Sequence, residues 1–92
     1  MTKHALLGLK NVGQAMLRDL TVLGITRVDE LKGQDPDHLY AELQRRTGTR
    51  HDPCVWDVLA AIIHEANSGE KLPWWHFTPI RKQRQQQHKE TF

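Results

Sequence analysis

The stretch LKNVGQA at positions 9–15, followed by an amphipathic run closing on LGI at 23–25, constrains this chain more than any other feature. It places an apolar residue, a bend of small residues and a helix start within a few positions. Gly13 has no Cβ, so the backbone can bend tightly there and another surface can come within van der Waals reach. Asn11 is one of the few non-glycine types that accept a left-handed backbone. Such a bend leaves amide hydrogens at a helix start pointing outward without partners, which makes an anion site.

Helix signals continue through most of the chain. Thr2 caps a first helix to about Lys10, with Leu6, Leu7 and Leu9 inward. A second runs from Gly13 to about Leu23. Ala15, Met16, Leu17, Leu20 and Leu23 form its apolar stripe, and Arg18 and Asp19 lie off it. Gly24 stands where a left-handed cap belongs, and Ile25 folds back beyond it. Thr26 opens a short third helix by reciprocal capping with Asp29; Val28 and Leu31 face inward and Gly33 ends it. Asp35 and Pro36 start a fourth, with Leu39, Tyr40 and Leu43 buried and Gly48 as its stop. Asp52 and Pro53 start the longest, to about Asn67, with Val55, Leu59, Ile62, Ile63 and Ala66 on its apolar face.

No strand pattern is convincing, so the expected fold is all-α with five helices. The sequence PWWHF at 73–77 reads as an aromatic clasp, too short and too proline-bounded for a regular element. Residues 1–78 are expected to form the domain. Residues 79–92 form a basic, glutamine-rich tail, either a solvated helix or partly disordered, and composition favours disorder.

With 92 residues the chain suits one domain and a modest core. No apolar run approaches membrane-spanning length, and residues 1–8 break too early for a secretion signal. Cys54 is the single cysteine, so no internal disulfide forms and a reducing cytoplasm is the expected setting. The net charge of +2 is unevenly divided. Arg81, Lys82, Arg84 and Lys89 against Glu90 give the tail +3, leaving −1 for the rest. That is not the strongly basic face of a tight DNA binder.

The bend and its two flanking helices are the pattern of a helix-hairpin-helix. Further likeness is carried by DELKGQDP at 29–36, TGTRHDPCV at 47–55 and PWWHF at 73–77. Together these resemble the small bacterial helix-hairpin-helix proteins of the pathogenicity-locus family, also described as mitomycin-resistance related, over about residues 3–80. The resemblance implies a tandem helix-hairpin-helix fold and a DNA-binding role, with no established reaction. The second hairpin is degenerate: TGTRHD at 47–52 is longer and lacks the turn of two small residues.

Two functional classes follow. In the first, a non-catalytic module binds DNA without regard to sequence. Residues Lys10, Asn11, Val12, Gly13, Gln14 and Ala15 form its phosphate-binding turn, with Arg18 adding charge. Arg45, Arg46 and Arg50, in the segment 45–51, make a second basic patch for a second phosphate contact; alternatively Arg45 and Arg46 simply complement the C-terminal dipole of their helix. In the second class the helices are scaffolding for a protein partner or a second copy. Neither class calls for a cofactor or a membrane.

Two chemical alternatives are weaker. His51, Cys54, His64 and His76 contain a His-x-x-Cys pair, but no paired metal-ligand spacing repeats. Cys54 at a helix start near His51 has a nucleophile's setting without an orienting third group or an oxyanion site. The chain is therefore read as binding no metal and catalysing no reaction. Most of Trp56, Trp74, Trp75 and Phe77 read as core-sealing aromatics, with stacking on unpaired bases the alternative; one tryptophan left exposed would suggest a partner surface.

Overall fold

A computed structural model describes residues 5–87. Among the described residues the fold is all-α, without a strand. Its α-helices are α1 (Gln14–Val22), α2 (Pro36–Thr47), α3 (Cys54–Ser68) and α4 (Thr78–Gln87). Single 3-10 turns lie before α1 (Ala5–Gly8), between α1 and α2 (Val28–Leu31) and between α3 and α4 (Trp74–Phe77). No helix among the described residues is long and apolar enough to cross a membrane.

α3 is the axis of the molecule. Its sequence VWDVLAAII is apolar nearly all round, and a helix of that kind must be surrounded. Trp56, Leu59, Ala60, Ala61, Ile62, Ile63 and Ala66 are all buried. Leu6, Met16, Leu20, Leu31, Leu39, Tyr40 and Leu43 close around it from the other elements. Each fully buried leucine or isoleucine contributes about 1.5–3 kcal/mol, so this single helix organises the core.

Punctuation follows the residue chemistry. The Asp35 carboxylate accepts the Asp37 amide at 2.9 Å, ahead of a helix opened by Pro36. At the end of α1 Gly24 adopts φ +78°. There the Ile25 amide donates to the Leu20 carbonyl at 2.9 Å and the Gly24 amide to that of Thr21 at 3.0 Å. That is the paired closure a left-handed glycine permits, and Ile25 is buried beyond it.

Several elements differ from the sequence expectation. Among the described residues the first helix is the Ala5–Gly8 turn, closed by three-residue bonds such as Leu9 N–H to the Leu6 carbonyl at 3.2 Å. The chain reverses at Asn11, three residues after this turn ends. The Thr2 cap lies outside the described residues. The third helix is likewise one turn, and its cap is Glu30 rather than Asp29. The Glu30 carboxylate accepts the Thr26 and Arg27 amides at 2.7 and 3.0 Å, and these bonds hold its pKa below the ordinary range. Ala15 is exposed, not inward.

The aromatic clasp is a regular 3-10 turn, Trp74–Phe77, leading directly into α4. The expected boundary after residue 78 falls inside α4. Arg81 from that helix is buried.

Candidate nucleic-acid interface

The N-terminal bend is set by contacts from far along the chain. Asn11 takes φ +76°, the left-handed conformation its side chain tolerates. Its Nδ2 donates to the Leu72 carbonyl at 2.8 Å, and its Oδ1 accepts the Trp74 amide at 3.1 Å. The Lys10 amide donates to Glu65 Oε1 at 2.9 Å, and Lys71 Nζ reaches Glu65 Oε2 at the same distance. Glu65, on α3, is only 6% exposed. A strap at residues 71–74 therefore braces the inner side of the bend.

The outer corner is different. Gly13, Gln14 and Ala15 are exposed, and among the described residues no side chain caps the start of α1. Gly13 has φ −106°, which any residue adopts, and a Cβ built on it meets nothing within 4 Å. Close helix packing therefore does not explain this glycine. Val12 packs partly against the core, while Lys10 and Arg18 stand exposed on either side. Beside the corner lies a shallow, mostly apolar groove of about 290 Å³ between α1 and the start of α3, with Met16, Val55 and Val58 among its walls. Asp19 also lines it; partial burial raises its pKa, opposed by His51 and Arg18.

The second basic patch is spent largely on structure. Arg45 and Arg46 both pair with Glu42; Arg46 Nε lies 2.8 Å from its Oε2. Hydrogen bonds from the two guanidinium groups, Arg45 first, hold the Glu42 pKa down at about 2. Arg46 Nη1 also donates to the Val22 carbonyl at 2.9 Å, capping the far end of α1. That end lies about 13 Å from Gly13 at the rise of an α-helix. The structure thus does not bring Arg45 and Arg46 to the 10–15 corner. Arg50 is exposed on the loop before α3, where the His51 backbone is fixed by Gln44 at 2.9 Å and by the Tyr40 hydroxyl at 2.6 Å.

His51, Cys54, His64 and His76 do not gather: among the described residues no three His, Cys, Asp or Glu side chains are placed to share a metal. His64 lies 2.7 Å from Glu70 instead. The Asp52 carboxylate accepts the Cys54 amide at 2.8 Å. The same carboxylate, followed by desolvation, raises the pKa of the Cys54 thiol. This opposes the helix-start effect that a nucleophile needs. Asp52→Asn is expected to shift the pH midpoint of Cys54 alkylation downward, because the anionic acceptor favouring the protonated thiol is gone. An unchanged midpoint in iodoacetamide rate measurements would refute this cause.

A buried polar network at the C-terminal side has no counterpart in the sequence reading. Asp57 is fully buried; its Oδ1 accepts Arg81 Nε at 2.8 Å and its Oδ2 accepts the Thr78 hydroxyl at 2.7 Å. Asp37 accepts the Trp56 indole N–H at 2.7 Å and pairs with Arg84, whose guanidinium lies 5.5 Å from the Trp56 ring centre. Two of the tail's cations therefore clamp α4 onto α2 and α3 and are not a loose tether. The signal was present: an aspartate inside a helix apolar on all sides must be buried, and a buried carboxylate needs a cation. Lys71 and Glu65 gave no such signal.

These features define a small all-α domain whose N-terminal bend is fastened internally and left open at its outer corner. The family model described as pathogenicity locus (Cdd1) matches residues 2–83, and the chain belongs to that family. It is also similar to the mitomycin resistance protein McrB of Streptomyces lavendulae. The two are 38% identical over 74 residues, covering 80% of this chain and 70% of that protein. No solved structure matches the chain.

Proposed function

We propose that this protein is a non-catalytic module that binds DNA through its backbone, without reading sequence. The Ala5–Gly8 turn, the bend and α1 act as a helix-hairpin-helix. The amides of Gly13, Gln14 and Ala15 hold a phosphate, and Lys10 and Arg18 supply charge. One observation carries the reading: the corner is exposed and uncapped, and among the described residues nothing requires a glycine at position 13. A close-approaching ligand does require one. Arg45, Arg46 and Arg50 act only as longer-range support, since Glu42 offsets the first two. The loop between α2 and α3 is the degenerate second hairpin. Phosphate contacts carry no base information, so binding is weak and sequence-independent. The raised Cys54 pKa supports a module without catalysis, and an unpaired cysteine suits the cytoplasm.

The test is titration of labelled duplex DNA at two salt concentrations. Binding at low salt should weaken as salt rises, by the release of counterions. Because the space above Gly13 is open, Gly13→Glu should keep the melting temperature while weakening binding about tenfold or more through like-charge repulsion. Absence of binding at low salt, or binding indifferent to this variant, removes the reading.

A second reading is favoured by one observation. Trp75 is 62% exposed, an unusual position for a large aromatic in a core-sealing clasp. As a protein-interaction module the same scaffold would dock a partner or a second copy there. Sedimentation showing a monomer at high concentration excludes self-association.

A further inference from the structure

We infer that the nucleic acid bound here carries unpaired bases, and that Trp75 is the platform on which one of them stacks. The inference rests on the backbone-binding reading above and adds the substrate class to it. Three observations point the same way.

The first is the ring itself. Trp56 is 1% exposed and belongs to the core, whereas Trp75 is 62% exposed. Trp75 meets Trp74 nearly at right angles, with centroids 5.9 Å apart and an interplanar angle of 83°. An indole held edge-to-face by a neighbour is restricted in rotation, yet most of its surface remains in water.

The second is location. The Trp74 amide donates to Asn11 Oδ1 at 3.1 Å, so the Trp75 segment is fastened to the bend proposed to hold phosphate. That bond and ordinary covalent geometry put the Trp75 Cα within about 12 Å of the Asn11 Cα. The separation spans a few nucleotides. To meet both the corner and the ring, one strand would pass around the bend from the amides of residues 13–15 to the indole.

The third is charge. Lys71 opens the strap that ends at Trp74, but its Nζ lies 2.9 Å from Glu65, which offsets its charge; the cation offered at the bend is the exposed Lys10. The amide of Lys10 meets the same carboxylate, which sets the Lys10 backbone beside the strap. An aromatic surface beside cations is how proteins take single strands without regard to sequence. In an intact duplex the bases are stacked and paired, and their faces are closed to an indole.

The experiment compares the full chain with Trp75→Ala, Trp75→Phe and Gly13→Glu. Each is titrated at low salt with a mixed-sequence single strand and with the duplex of the same sequence. The expected result is tighter binding of the single strand by the natural protein. Trp75→Ala should lose about 5- to 100-fold on the single strand and little on the duplex, and Trp75→Phe should retain most of the affinity. Gly13→Glu should weaken both forms. The melting temperature of each variant, read by circular dichroism, should stay unchanged. If Trp75→Ala leaves single-strand binding intact, or weakens both forms equally, the stacking role is overturned while backbone binding stands. If the natural protein binds neither form, the backbone reading itself is overturned, and the stacking role with it.

Discussion

Replacing Arg81 with leucine is expected to destabilise the fold by about 3–5 kcal/mol, because it strands a fully buried carboxylate. Asp57 would keep only the Thr78 hydroxyl among its observed partners, which satisfies one oxygen and none of the charge. Small domains have a total stability of about 5–15 kcal/mol, so the variant should be partly unfolded under mild heating. Urea denaturation followed by circular dichroism measures this directly. Adding Asp57→Asn to Arg81→Leu should recover part of the loss, since a neutral amide is cheaper to bury than a carboxylate. A loss below about 1 kcal/mol in the single variant, the size of an exposed ion pair, would show that water reaches Asp57.

Asn11→Ala should cost about 2–4 kcal/mol, from strain at a left-handed backbone together with two lost hydrogen bonds. Asn11→Gly separates these causes. Glycine accepts φ +76° freely, so only the lost bonds remain, about 1–2 kcal/mol. Thermal melts of both variants check the order. If alanine and glycine cost the same, the backbone conformation contributes nothing and the side-chain bonds explain the whole effect.

Asn11 also marks where reading the sequence succeeds and where it stops. Its left-handed conformation was legible, as were the starts at Asp35 and Pro36 and the stops at Gly24 and Gly48, because each is a local backbone preference. Its partners Leu72 and Trp74 lie 61 and 63 positions away, and no spacing rule reaches that far. The capping of the Val28–Leu31 turn was misassigned by one residue, since Asp29 and Glu30 both fit the pattern and only geometry separates them.

The tail departs from what its composition implies for a related reason. Composition registers its lysines, arginines and glutamines as solvated, but Arg81 and Arg84 meet acids 24 and 47 positions earlier. In the candidate interface the 13–15 corner is exposed, and so are Lys10 and Arg18. Arg45 and Arg46 did not join it, because Glu42 one turn earlier and the Val22 carbonyl compete for them.

The brace between Lys10, Asn11 and residues 65–74 has a consequence for synthesis. A ribosome delivers residues 10 and 11 long before Leu72 and Trp74, so the emerging polypeptide carries its first corner without the bonds that fix it. Only when the later segment clears the exit tunnel does that corner acquire its final shape. A product cut short before position 72 would retain every residue of the corner and still lack the lock.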